Sequence, residues 1–395
     1  MSTAAPTTRQ HATLIGSMGC NQILAWGSTF YLPAVLAEPV SHSLNISVPA
    51  VVGALSWSLL VAGICAPVVG RTIDKHGGKW VLASSSLLLA LGLITMSFAS
   101  GLFVYYIAWT VLGLGMAAGL YDAGFATLGR LMGARARGSM TGLTLIAGFA
   151  STVAWPFLAS MDASHGWQTT CRVLALIHLA VGLPLHLLTV PLPTPRATES
   201  AKIAKASYAP ADPRLAWIAL LFTLHAFVMS ALAVNLIALL RSHEISAAMA
   251  VTLGALMGPS QVVARLLEYA FGRSAHPVWI ARLGILACIV GLLALGPGMV
   301  MLSLIAVITF GGGNGIMTIA RGTVPLTLLG STNLGMHLGL IARPVLVAQA
   351  VAPMACAYIL VQLDPNWLIW IMAGILGIGA LVAFTKLRAF TPSLA

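Results

Sequence analysis

The sequence predicts an all-α membrane protein with twelve transmembrane helices in two bundles of six. Three observations carry this. Of 395 residues, 59% are hydrophobic and 7% charged, where a soluble domain carries about 25% charged residues. Twelve apolar segments follow one another, each long enough to cross a bilayer as a helix of about 20 residues. The charges that do occur are gathered into short islands between those segments.

In order, the segments lie at about 12–37, 49–70, 79–99, 102–131, 138–161 and 166–190, then 214–240, 246–270, 277–296, 298–328, 335–361 and 366–386. A Pro-rich, polar run with Arg196, Lys202 and Lys205 separates the sixth from the seventh. The expected organisation is a first six-helix bundle over 1–190, a linker over 191–213 and a second bundle over 214–395. Span 4 (Gly113, Gly115, Gly119, then Asp122) and span 10 (Gly311, Gly312, Gly313, Gly315, then Arg321) look weakly alike, as a parallel repeat of two six-span units would. Glycines in apolar spans equally serve close helix packing.

The net charge of +11 would suggest nucleic acid in a soluble chain. Here the bases fall mainly in short loops, where they set orientation instead. The loops holding Arg9, the Arg71–Lys79 island, Arg135 and Arg137, the linker, Arg273, and Lys386 with Arg388 all alternate to one side. Both termini and the linker are therefore expected on the cytoplasmic face of a bacterial-type inner membrane. The first span reads as retained, with no cleavage site evident after it. Cys20, Cys65, Cys171, Cys288 and Cys356 all lie in apolar segments and read as small core residues without metal-ligand spacing.

Charge inside a bilayer costs about 2.5–3.5 kcal/mol per residue, so each such residue calls for a reason. Arg130, near the end of span 4, is expected to snorkel to water. Arg265 and Glu268 on span 8 lie three residues apart and either neutralise each other or serve a ligand. Arg321 on span 10 and Arg343 on span 11 have few acids to answer them. An interior richer in guanidinium than carboxylate attracts an anion, and guanidinium grips a carboxylate through two parallel bonds. A gate built from these arginines is the competing reading. Asn235, Asn21 and Gln261 are candidate polar contacts to the same substrate. Asp122, His225 and Glu268 are candidate proton carriers: a buried carboxyl and a lone imidazole are the groups that exchange protons most readily. Each has a plainer reading as a hydrogen-bonded packing residue, and Trp26 and Tyr31 on span 1 are either inward-facing edges or interfacial anchors.

Between spans 2 and 3, Gly70-Arg71-Thr72-Ile73-Asp74-Lys75-His76-Gly77-Gly78-Lys79 must form a tight hairpin outside the hydrocarbon. Its spacing resembles the signature loop of the major facilitator superfamily. Gly70, Asp74, Lys75, Gly77 and Lys79 match, and Gly78 stands where the family usually has arginine. With twelve spans around it, the resemblance covers essentially the whole chain. It implies the major facilitator fold: two bundles rocking about a central site lined by spans 1, 4, 7 and 10, with the signature residues gating one side. Within the superfamily, Trp26-Gly27-Ser28-Thr29-Phe30-Tyr31, Gly166-Trp167 and the segment Gly258 to Arg265 look most like the monocarboxylate and oxalate/formate branch. In that branch the arginine matching Arg265 holds the substrate carboxylate; Ala264 replaces the glycine usual before it. Trp109 stands where many proton-coupled antiporters carry an arginine. The antiporter glycine-proline pattern is missing from span 5, and Gly272-Arg273 lacks the acid of a second signature loop.

The expectation is a secondary carrier for a small organic anion, coupled to protons and acting as a monomer. Efflux of a toxic or amphipathic compound is the alternative. No enzyme, cofactor or metal site is expected: nine acids in all, with no His/Asp/Glu cluster and no nucleotide-binding glycine loop, leave little for chemistry.

Overall fold

The computed structural model describes residues 8–192, 212–272, 274–362 and 365–388. Most of the linker, including Arg196, Lys202 and Lys205, lies outside them, as does Arg273. Every regular element among the described residues is a helix, with no strand, and the helices make up the expected twelve spans. Among the described residues, eight continuous helical stretches, one of them Leu102–Thr189 with its internal breaks, are long and apolar enough to cross a membrane, and Pro277–Leu293 is a shorter apolar one. Large apolar side chains on the outside, among them Val68, Phe103, Leu188 and Met301, are exposed, as a lipid-facing surface requires.

Several spans are not single helices, and each break has a local cause. Span 1 runs Thr8–Gly27, turns, and resumes as Pro33–Leu44. Ser28 and Thr29 bond back to the Ala25 carbonyl at 3.4 and 2.6 Å, and Pro33 brings no N–H to continue the ladder. Span 2 runs Val48–His76 from a Ser47 cap. The helix therefore continues through Gly70 to His76, and the expected hairpin contracts to Gly77-Gly78. Nothing between Arg71 and His76 breaks a helix, whereas Gly77 takes the positive φ of 83° that ends one.

Span 4 divides into Leu102–Gly119 and Tyr121–Met132 around the extended Leu120. Span 5 is Arg137–Ala147 continued from Ala150, and the chain reverses at Gly166, with φ 77°, into the first part of span 6, which runs to Ile177. Span 6 then passes through one π-helical turn, His178–Gly182, into Leu183–Thr189. Span 8 divides into Ala247–Ala255 and Met257–Phe271. Pro259 accounts for that break, since its ring clashes with the carbonyl four residues earlier, that of Ala255. Spans 7, 10, 11 and 12 are Pro213–Ser242, Val300–Leu329, Leu334–Gln362 and Pro365–Thr385.

The chain forms two compact units, Met1–Tyr208 with Thr332–Gly339, and Ala209–Ser331 with Leu340–Ala395. The start of span 11 thus groups with the first unit. In the second, the glycine run of span 10 is a packing surface. A Cβ on Gly311 or Gly315 would meet the span 8 carbonyls of Met257 and Gln261 at 2.9 and 2.6 Å. On Gly313 it would meet that of Gly284, in span 9, at 2.6 Å. Gly113 does the same in the first unit, 2.6 Å from the Ser58 carbonyl. Small residues let the backbones approach where lipid offers no hydrophobic drive between helices.

Candidate functional site

In the first unit two of the signature residues, Gly70 and Asp74, meet the start of span 11. Asp74 accepts from the backbone N–H of Gly335 at 2.8 Å and of Met336 at 2.6 Å. A carboxylate therefore caps the helix N-terminus, where two orphan donors and the dipole favour negative charge. The two helices touch backbone to backbone there. A Cβ on Gly70 would collide with the Gly335 carbonyl, and one on Gly339 with the Ala66 carbonyl. Gly78 packs as tightly on Thr127, and Gly129 on Leu334. Arg130, with its Nε buried, lies near enough to act electrostatically on Asp74. Lys75 is exposed and Lys79 half-buried.

Higher in the same unit, Gln22 fills the break in span 4. Its Nε2 donates to the Gly119 carbonyl at 2.7 Å, and its Oε1 accepts from Trp26 Nε1 at 3.0 Å. Rings collect around this point: Trp26 lies 5.1 Å from Tyr121, Tyr121 stacks on Phe125 at 5.5 Å, and Tyr31 meets Trp155 at 5.8 Å. Asp122, half-buried, occupies the first turn of Tyr121–Met132, where a helix dipole favours a carboxylate. Asn21 is buried and donates to the Ser17 carbonyl at 3.2 Å.

In the second unit His225 and Asn235 of span 7, Arg265 and Glu268 of span 8 and Asn314 of span 10 are buried. Arg265 is 4% exposed, and its guanidinium donates to the Gly315 carbonyl at 3.4 Å and to Gln261 Oε1 at 3.3 Å. Glu268 is buried on the same helix. Arg321 is half-buried and close enough to the buried His225 to act on it electrostatically. Pro325, one turn on, has no N–H for the Arg321 carbonyl. Asn235 is satisfied within its own helix, donating to the Ala231 carbonyl at 2.9 Å. Arg343 is exposed.

Besides Gln22, buried Arg282, His178 and His186 escaped the sequence reading. Arg282 of span 9 donates to the carbonyls of Ala383, Phe384 and Leu387 at 3.0, 3.3 and 2.9 Å, and lies over the Trp279 ring at 4.4 Å. It caps the end of span 12, whose last carbonyls have no helical donor. His178 and His186 of span 6 are both buried. Trp109 is buried against Tyr105, with ring centres 6.2 Å apart. Of the cysteines, Cys20 is exposed rather than in the core, while Cys171, Cys288 and Cys356 are buried. The described residues hold no group of three or more His, Cys, Asp or Glu able to bind a metal.

The fold is that of known transporters. The human organic anion transporter MFSD10 superposes with a TM-score of 0.76 at 14% identity, covering 96% of this chain and 100% of that one. The proton:xylose symporter XylE gives 0.75 at 11% identity, covering 96% and 95%. The E. coli fucose:proton symporter FucP gives 0.67 at 15% identity, covering 96% and 100%. No curated protein sequence matches. The family model of the Major Facilitator Superfamily matches residues 18–342. The chain belongs to the major facilitator superfamily: it is a multi-pass membrane transporter, not an enzyme.

Proposed function

We propose that the protein carries a small organic anion, a carboxylate, across the membrane by alternating access, with proton coupling. The observation that supports this most is Arg265. It is buried inside the second bundle, where its guanidinium donates to the Gly315 carbonyl and to Gln261 Oε1. A planar guanidinium suits a carboxylate, which it can grip through two parallel charge-assisted bonds. Arg321 adds a second positive group in the same unit. Arg282, by contrast, is spent on span 12. In this reading Gln261 positions Arg265, while Asp122, His225 and Glu268 are the candidate proton carriers. Arg343 and Asn235 are secondary contacts. Asp74 and its glycines hold the gate. The likeness to an organic anion transporter and to sugar symporters, at 11–15% identity, carries the fold alone.

One observation favours the alternative, efflux of an amphipathic compound. The cluster of Trp26, Phe30, Tyr31, Tyr121 and Trp155 in the first unit would suit an apolar ligand. Thermal stabilisation of the purified protein separates the two, because a ligand of the folded state raises apparent stability by RT ln(1 + [L]/Kd). The proposal predicts shifts with small carboxylates that vanish in Arg265→Gln. Shifts with amphiphiles alone, unchanged in Arg265→Gln and Arg321→Gln, would favour efflux.

A further inference from the structure

Span 6 holds two buried histidines that neither the carrier reading nor the gate employs. His178 is 1% exposed and His186 4%. Nε2 of His178 hydrogen-bonds Ser28 Oγ at 2.8 Å, and Nδ1 of each ring is buried without a protein partner. A neutral imidazole has one donor and one acceptor, and a buried polar atom left unmade costs about 1–3 kcal/mol. Each ring therefore has a strong claim on a further small polar ligand.

The π-helical turn explains how the two rings come to share one seam. Eight residues of regular α-helix advance about 800°, leaving two side chains about 80° apart. A π turn absorbs roughly one residue, so His186 comes back to within about 20° of His178. Between them lies Gly182. A Cβ there would sit 2.9 Å from Asn21 Oδ1 and 3.2 Å from Ser86 Oγ, so the missing side chain lets polar atoms of spans 1 and 3 approach the seam closely. Below His186, Thr189 Oγ1 bonds Ser17 Oγ at 2.6 Å. Ser17, Asn21 and Ser28 are spaced by four and seven residues, which places them on one stripe of span 1 facing this seam. Together these groups line about 16 Å of helix, from Ser17 to Ser28, or half the roughly 30 Å hydrocarbon core.

We propose that this seam between spans 1, 3 and 6 is a hydrated proton relay that opens where span 1 begins and ends at His178. Its ligand is water. Hydroxyl, amide and imidazole groups of three helices are the kind of partner, two to four for each molecule, that a buried water takes. Each relay step places one proton on one ring nitrogen and releases one from the other, so the imidazole returns neutral in its other tautomer. No charged side chain competes along the seam. The segments 80–97 and 173–189 contain no Asp, Glu, Lys or Arg, and over 10–30 the other titratable groups are His11, whose ring turns instead to Ser139 at 3.0 Å, and the exposed Cys20. On the outer flank, Cys171 contacts Met96 Sδ at 3.8 Å, Arg172 turns to Ser97 Oγ at 3.3 Å, and Asp162 and His165 lie beyond Trp167. This inference is independent of the anion reading and survives its failure.

The test is solvent exchange of the ring N–H groups, followed by NMR of histidine- and tryptophan-labelled protein in lipid nanodiscs. Signals are assigned with His178→Gln and His186→Gln. Both rings should exchange far faster than the buried Trp109 indole. Because the relay is sequential, His186→Leu should slow exchange at His178 about tenfold or more, whereas His178→Leu should leave His186 unchanged. Thr189→Val, which keeps both rings, should slow both and serves if His186→Leu fails to fold. Rings protected as deeply as Trp109, or a His178 rate indifferent to His186→Leu and Thr189→Val, would overturn the proposal.

Discussion

Asp74 shows what a single carboxylate does in this protein. Its two oxygens take one backbone N–H each from Gly335 and Met336, and its helix reaches them because Gly70 and Gly335 leave no side chain in the way. Charge-assisted hydrogen bonds of this kind contribute about 1.5–3 kcal/mol. Asp74→Asn retains one acceptor and loses the charge. It should lower unfolding free energy by about 2 kcal/mol in chemical denaturation, and any transport that depends on this contact should fall with it. Unchanged stability would mean that the carboxylate does not hold span 11. The contact itself was not legible, because its partners lie more than 260 residues away. What the sequence displays is an acid after a glycine in a charged island. Arg282 was missed for the same reason: nothing near it announces that it will hold carbonyls of span 12.

At the scale of the helix, breaks carry as much meaning as spans. Span 4 reads as one continuous apolar segment, yet it parts at Leu120 because Gln22, on another helix, supplies a donor for the Gly119 carbonyl. No propensity within span 4 foretells that. The Pro259 break in span 8 is different in kind, since its cause lies in the segment itself. Gln22→Leu should leave a buried carbonyl unsatisfied and destabilise by about 1–3 kcal/mol. It should also release Trp26, readable as a change in tryptophan fluorescence. Gln22→Glu, which keeps the acceptor for Trp26 and loses the donor, separates the two contacts. The π turn at His178–Gly182 was equally hidden, and without it the eight-residue spacing of His178 and His186 points to different faces.

Over the whole molecule, the twelve spans were readable because hydrocarbon thickness imposes a length and excludes charge. The hairpin between spans 2 and 3 was readable in place, though not in extent: charge marks where the chain leaves lipid, but only Gly77 ends the helix. The glycine runs of spans 4 and 10 were open to two readings, and in the second unit three of them serve packing of span 10 on spans 8 and 9. The substrate is the least legible property, since specificity rests on a few side chains that one fold accommodates in many ways. The central claim, that a carboxylate is carried against Arg265, is tested most directly by solid-supported-membrane electrophysiology on proteoliposomes. Concentration jumps of small carboxylates, neutral sugars and amphiphilic cations would be compared at two pH values. The account predicts currents with carboxylates that grow with a proton gradient and disappear in Arg265→Gln. Carboxylate currents that persist in Arg265→Gln, or responses confined to sugars or amphiphiles, would contradict it.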